Sequence, residues 1–148
     1  MDDNLLTGRI YGYTSPLTKV QYSKIDKYGL FATKSISKGT VVAAWGGKIR
    51  TSEEIKKLRS KFSTNYALQL YPGFYIAETN TKELDAADFI NHSCEPNCKI
   101  VNLLIMITKR KIGVGEELTA DFDEGSPKIG RRTKCLCGSV HCRKIVYF

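Results

Sequence analysis

Four cysteines constrain this chain more than any other feature. Three stand in Cys135-Leu136-Cys137-Gly138-Ser139-Val140-His141-Cys142, and a fourth, Cys94, lies far upstream in Asn91-His92-Ser93-Cys94-Glu95-Pro96-Asn97-Cys98. A C-x-C-x₄-C run can turn three thiolates onto one ion, and a structural Zn²⁺ completes its tetrahedron with a fourth ligand. With Cys94 in that place, one metal ion would pin the C-terminal tail onto the segment that carries Asn91 and His92. Such a site would bring these two distant stretches together.

The fifth cysteine, Cys98, is left over and reads as a small buried hydrophobe. An odd count, and an acidic Met1-Asp2-Asp3-Asn4 where a secretory leader would be basic, favour thiols in a reducing, intracellular compartment over a disulfide framework. The longest nearly apolar run, Ile100 to Ile107, is too short to span a bilayer, so no membrane partner is expected. At 148 residues and 42% hydrophobic, the chain can bury one respectable core and needs no second domain. Its net charge is +8; four thiolates around one dication subtract two and leave +6. A surface of that sign suits an acidic partner such as nucleic acid, but the basic residues are dispersed, as on an ordinary solvated face.

Short β-compatible runs recur between turn residues: Val20 to Tyr22, Gly29 to Thr33, Thr40 to Trp45, Tyr66 to Tyr71, Phe74 to Ala77, and Ile100 to Thr108. Ser52 to Ser60 reads as the clearest helix, with Thr51 or Ser52 as N-cap, Glu53 and Glu54 in the first turn and basic residues toward the end. Leu84 to Phe89 can supply a second helical turn. The pattern is mainly β with little α, not an alternating βαβ chain. No glycine fingerprint for a dinucleotide or a P-loop is present.

Four segments in order carry a family resemblance. They are Ile25-Asp26-Lys27-Tyr28-Gly29-Leu30-Phe31-Ala32 with Ser37-Lys38-Gly39-Thr40-Val41-Val42 after it; Asp88-Phe89-Ile90-Asn91-His92-Ser93-Cys94-Glu95-Pro96-Asn97-Cys98; Gly115-Glu116-Glu117-Leu118-Thr119-Ala120-Asp121-Phe122; and the cysteine tail. Together they resemble a SET-domain protein lysine methyltransferase with a post-SET zinc tail. The resemblance implies short curved β-sheets with a C-terminal pseudoknot, divided as an N-terminal flank at 1–20, the SET domain at 21–124 and the post-SET tail at 125–148.

It also implies an activity and a site. S-adenosylmethionine would be the methyl donor, held by Lys27, Tyr28 and Gly29 at its methionine end, by Phe89, Asn91, His92 and Phe122 along the pocket, and by an aromatic residue of the tail, Tyr147 or Phe148. Gly29 would allow close approach and a torsion other residues avoid. Zinc would sit on Cys94, Cys135, Cys137 and Cys142. Tyr66 matches a channel tyrosine that orients the substrate amine. The substrate would be a lysine in a protein or peptide, with a histone tail, nucleosomal DNA contact and a nuclear setting as the chromatin version of that expectation.

Three positions depart from the family pattern. Lys27 replaces the first glycine of the early turn, which is harmless at ordinary torsions. Asp88 replaces an arginine, changing the charge beside the pocket unless its side chain faces solvent. Phe122 replaces the family's most characteristic tyrosine, and Ala120 replaces a bulkier aromatic, so the channel gains width and loses a hydroxyl that Tyr13, Tyr71 or Tyr75 would have to supply. Two functions therefore stand side by side: an active lysine methyltransferase, and a SET-fold module that binds cofactor or peptide with little turnover. A zinc-stabilised nucleic-acid binder is a third class, resting on charge and cysteines alone.

Overall fold

A chain of short β-runs punctuated by glycine, proline and asparagine folds into short strands that must share small sheets. The computed structural model describes residues 8–61, 67–78, 80–124 and 132–147. In order these form β1 (Arg9–Ile10), β2 (Tyr13–Thr14), β3 (Thr18–Tyr22), β4 (Tyr28–Ala32), β5 (Val41–Ala44), β6 (Gly47–Thr51), α1 (Ser52–Lys61), β7 (Ala67–Tyr71) and β8 (Phe74–Ala77). Two 3₁₀ turns, Thr81–Glu83 and Ala86–Phe89, lead to β9 (Asn91–His92), β10 (Cys98–Val101), β11 (Ile105–Thr108), β12 (Glu117–Ala120), β13 (Arg132–Lys134) and β14 (Ile145–Tyr147).

The strands make three four-stranded sheets, ordered β1-β6-β8-β7, β10-β11-β5-β2 and β3-β4-β12-β9, with β13 and β14 pairing separately. Residues 9–20 are woven into all three large sheets, through β1 on β6, β2 on β5 and the start of β3 on β4. The core lies where the sheets meet. Leu30, Ile36, Val42, Met106, Ile112 and Leu118 are sealed from solvent there, and burying aliphatic side chains of this kind stabilises by about 1.5–3 kcal/mol each. Cys98 is fully buried among them, and burial pushes its thiol up to about 12.

The expected helix forms one residue longer than the sequence indicates. Thr51 is its cap: Thr51 Oγ1 accepts from the Glu54 N–H at 3.4 Å while Glu54 Oε2 accepts from the Thr51 N–H at 2.8 Å, a reciprocal capping box. Leu84 to Phe89 gives a 3₁₀ turn from Ala86, capped by Asp85. The run Ile100 to Thr108 is not one strand. It breaks into β10 and β11, which pair antiparallel around Asn102 and Leu103, both at positive φ (48° and 67°); two such residues in succession reverse the chain tightly, and asparagine tolerates the conformation. Among the described residues no helix is long and apolar enough to cross a membrane.

Candidate active site

The site begins at the β3–β4 hairpin. Tyr22 pairs with Tyr28, so residues 23–27 make the turn, closed by the Ser23 N–H on Lys27 O at 3.0 Å. Lys27 carries φ +39°. This corrects the expectation of ordinary torsions there: the lysine holds the left-handed conformation for which a glycine is suited, at a cost on the order of 1 kcal/mol. Gly29 is the converse. Its φ is not in the left-handed range, and what it provides is space: a Cβ would lie 2.1 Å from Glu117 Oε1 and 3.1 Å from Asn91 Nδ2.

That space is filled by a polar cluster. Asn91 Nδ2 donates to Tyr28 O (2.9 Å) and Glu117 Oε1 (2.8 Å), and Ser23 Oγ donates to the Glu117 carboxylate (2.9 Å). Only acceptors of this strength surround the nitrogen, which fixes the amide's orientation. The Asn91 amide therefore locks the early turn against β12. One register further along, β9 runs parallel to β12, with Thr119 opposite Asn91 and Ala120 opposite His92. Asn97 continues the pairing as a side chain, accepting from the Thr119 N–H at 2.9 Å and donating to Glu117 O at 2.7 Å.

These elements surround a cavity of ≈ 330 Å³. One side is the early turn, Ile25 to Tyr28; the inner wall is Asp88 to His92 with Trp45, Gly46 and Phe122; Ala67, Leu68 and Ile76 come from the β7–β8 hairpin; and the tail contributes Thr133 to Leu136 and Val146. The Tyr28 and Phe89 rings meet edge to face at 6.1 Å, and Phe122 stands between Trp45 (6.0 Å) and His92 (6.3 Å). Asp88 is half-buried rather than turned fully to solvent. It lines the cavity, accepts from the Asp85 N–H at 2.9 Å, and is pushed up to about 7 by burial, with the Asp85 and Glu78 carboxylates adding to the rise.

The four cysteine sulfurs converge as expected, all within 4.8 Å of one another, with Cys94 and Cys135 at 3.7 Å. Four sulfurs about 2.3 Å from one ion stand about 3.8 Å apart at tetrahedral angles, so the cluster fits zinc. Backbone N–H groups of Arg143 (3.3 Å) and Lys144 (3.4 Å) reach Cys94 and Cys142. Beside the cluster, Arg143 grips Asp121 with two bonds of 2.7 and 2.6 Å and reaches Asp123 at 3.2 Å, while the Tyr147 N–H donates to Asp123 at 2.8 Å. Burial opposes ionisation of Asp121, but the Arg143 guanidinium, the Asp123 N–H and the His92 ring together outweigh it and hold the carboxyl below its usual range. The His92 imidazole is lowered, chiefly by burial and against the pull of Asp121.

Of the sequence-selected residues, Lys27, Tyr28, Phe89, Asn91, His92 and Phe122 share the cavity, with Gly29 packed behind it. Tyr147 does not line it; Val146 and Leu136 do, because the alternation of β14 turns Val146 inward. Tyr66 and Phe148 lie outside the described residues, though Ala67 and Leu68, which follow Tyr66, are in the wall. Neither Tyr13, Tyr71 nor Tyr75 lines the cavity, and Tyr28 is its only tyrosine among the described residues. Sequence reasoning missed Trp45, whose indole N–H donates to Ala87 O at 3.0 Å, and Arg143; a lone tryptophan and an arginine following the last cysteine were the available signals.

The SET-domain profile matches residues 27–123. The chain is 36% identical over 134 residues to the histone-lysine N-methyltransferase trithorax of Drosophila virilis, covering 82% of this chain and 3% of that protein. It is 30% identical over 173 residues to the histone-lysine N-methyltransferase Su(var)3-9 of Drosophila pseudoobscura pseudoobscura, covering 98% of this chain and 27% of that one. With the human histone-lysine N-methyltransferase 2D it shares 32% identity over 136 residues, 82% of this chain and 2% of that protein. The chain thus spans 2% to 27% of the length of these curated relatives.

Proposed function

The chain belongs to the SET-domain family, and on that premise we propose that it transfers methyl groups from S-adenosylmethionine to a lysine side chain of a protein, with a histone as substrate. The observation that carries the reading is the parallel pairing of β9 with β12, which sets Asn91, His92 and Phe122 around one cavity with the early turn opposite and the cysteine tail at its edge. Cys94, Cys135, Cys137 and Cys142 would hold zinc and with it keep that tail in place. Histone modification sets the activity in the nucleus, and the net charge of +8 suits contact with nucleosomal DNA.

The lining fits a charged, amphipathic cofactor, with the Tyr28 and Phe89 rings beside the polar backbone of the early turn and of β9. When bound, S-adenosylmethionine supplies a methyl group on a positively charged sulfur. Lys27 and Tyr28, with Gly29 packed behind them, would hold its amino-acid end, Asn91 and His92 the inner side, and the tail, through Leu136 and Val146, the outer. The chain's task toward the substrate is to accept a lysine without its proton, which from a pKa of about 10.4 costs roughly 3.3 kcal/mol at pH 8. Leu68, Ile76, Trp45 and Phe122 supply apolar walls that disfavour the ammonium form. Tyr66 orients the amine, and alignment does the rest.

The absence of a hydroxyl on Phe122 favours a second reading, a module that binds cofactor or peptide with little turnover. Intact mass spectrometry of histones incubated with S-adenosylmethionine separates the two. The methyltransferase reading expects methyl-sized mass gains that Tyr66→Phe slows by about 100-fold or more and that Phe122→Tyr changes in rate or degree. Measured cofactor binding with no transfer would leave the binding module.

A further inference from the structure

His92 lies between the cysteine cluster and the cavity, and both of its ring nitrogens are committed. The Phe122 N–H donates to Nδ1 at 3.2 Å, while Nε2 lies 3.4 Å from Cys94 Sγ. A nitrogen that accepts an N–H carries no proton of its own, so the neutral ring bears its hydrogen on Nε2. The competing assignment, an Nδ1–H given to Asp121, fails on distance: Oδ1 is 3.7 Å away and already takes Arg143 and the Asp123 N–H. The Nε2–H is left directed at the sulfur, at an ordinary N–H···S separation.

We propose that His92 is a positioning residue that serves metal and cavity at once, giving its Nε2–H to the Cys94 thiolate while its bare Nδ1 fixes the backbone of Phe122. The proposal rests on zinc occupying the cluster and on the cavity being the methyl-transfer site. Four thiolates on one dication carry a net charge of −2, and Cys94 meets it with two donors, the His92 ring and the Arg143 N–H. The same Arg143 grips Asp121, the neighbour of Phe122. Cys94 and Phe122 are therefore joined by two short routes, one through an imidazole and one through a guanidinium. Metal-outer-sphere partners of this kind usually change affinity by about 10–100-fold when removed.

The test separates the two bonds. His92→Asn places an acceptor near Nδ1 and loses the reach to Cys94; His92→Gln keeps an amide donor near Nε2. Zinc affinity by competition with a chromophoric chelator should fall about tenfold or more in the asparagine variant and recover in the glutamine variant. The thiolate-to-metal bands of the Co²⁺-loaded protein should shift in the first alone. Unchanged zinc affinity and Co²⁺ spectrum in His92→Asn would overturn the proposal. Should either variant fold poorly, long-range ¹H–¹⁵N correlation of the zinc-loaded wild-type ring decides: a proton on Nε2 is expected, and one on Nδ1 refutes it. These readouts do not involve methyl transfer, so they stand or fall apart from the activity.

Discussion

On one side of the cavity β12 runs between β4 and β9 with Leu118 and Ala120 fully buried behind it. On the other, β13 and β14 have three residues each, of which Val146 alone is buried. The sheet side is held by apolar burial and continuous strand pairing, which work as soon as the core forms. The tail side has little apolar surface and relies on the Arg143–Asp121–Asp123 ion pairs and on four sulfurs placed where they could hold zinc. A cavity built this way has one permanent wall and one conditional wall.

Two perturbations distinguish the walls. Leu118→Ala should cost about 3 kcal/mol and lower the midpoint of chemical denaturation equally with or without zinc. Zinc removal by a strong chelator should instead weaken S-adenosylmethionine binding by about 100-fold, near 2.7 kcal/mol, while far-UV circular dichroism keeps the signal of the three large sheets. If the chelated protein melted in one step at a temperature as low as the Leu118 variant, the two walls would be one cooperative unit and the distinction would be lost.

The walls should also respond oppositely to pH. Asp88, on the sheet side, has its folded pKa raised from 3.8 to about 7; the folded state holds the proton more tightly, so stability falls as pH climbs through that window and stays reduced above it. Asp88→Asn keeps an acceptor for the Asp85 N–H and should gain about 2 kcal/mol at pH 8 with no gain near pH 4, read by urea denaturation at both values. Asp121, at the end of β12 where the tail's Arg143 docks, is held low against burial by that guanidinium and the Asp123 N–H, so the contact's contribution is present above its ordinary range and is lost on acidification. The smallest effect belongs to the turn. Lys27→Gly should relieve the left-handed strain and raise stability by about 1 kcal/mol, visible as a modest rise in melting temperature.

The cysteine quartet was readable because sulfur has few structural alternatives and one metal geometry. The helix was readable because Thr51 and Glu54 stand at capping-box spacing. The pairing of β9 with β12 was not, since a two-residue strand has no periodicity, and only the resemblance of its motif led there. Gly29 keeps the expected close approach, but the unusual torsion falls on Lys27 instead, because a sequence shows that a glycine is present but not whether space or torsion demands it. Tyr147 was chosen for its ring, while the strand's alternation brought Val146 to the cavity instead. Asp88 could not be placed until Asp85 was seen to need it as a capping partner.

Cys98 draws a boundary around the chain's thiol chemistry. Fully buried and pushed up to about 12, it presents neither a thiolate nor a path to one, so it takes no part in metal exchange, disulfide scrambling or alkylation while the fold persists. The five cysteines then divide into one silent and four responsive. A thiol-reactive dye added to the native protein would then count the cluster alone, the three tail cysteines and Cys94, staying silent while an ion is held and reporting four groups once it is withdrawn.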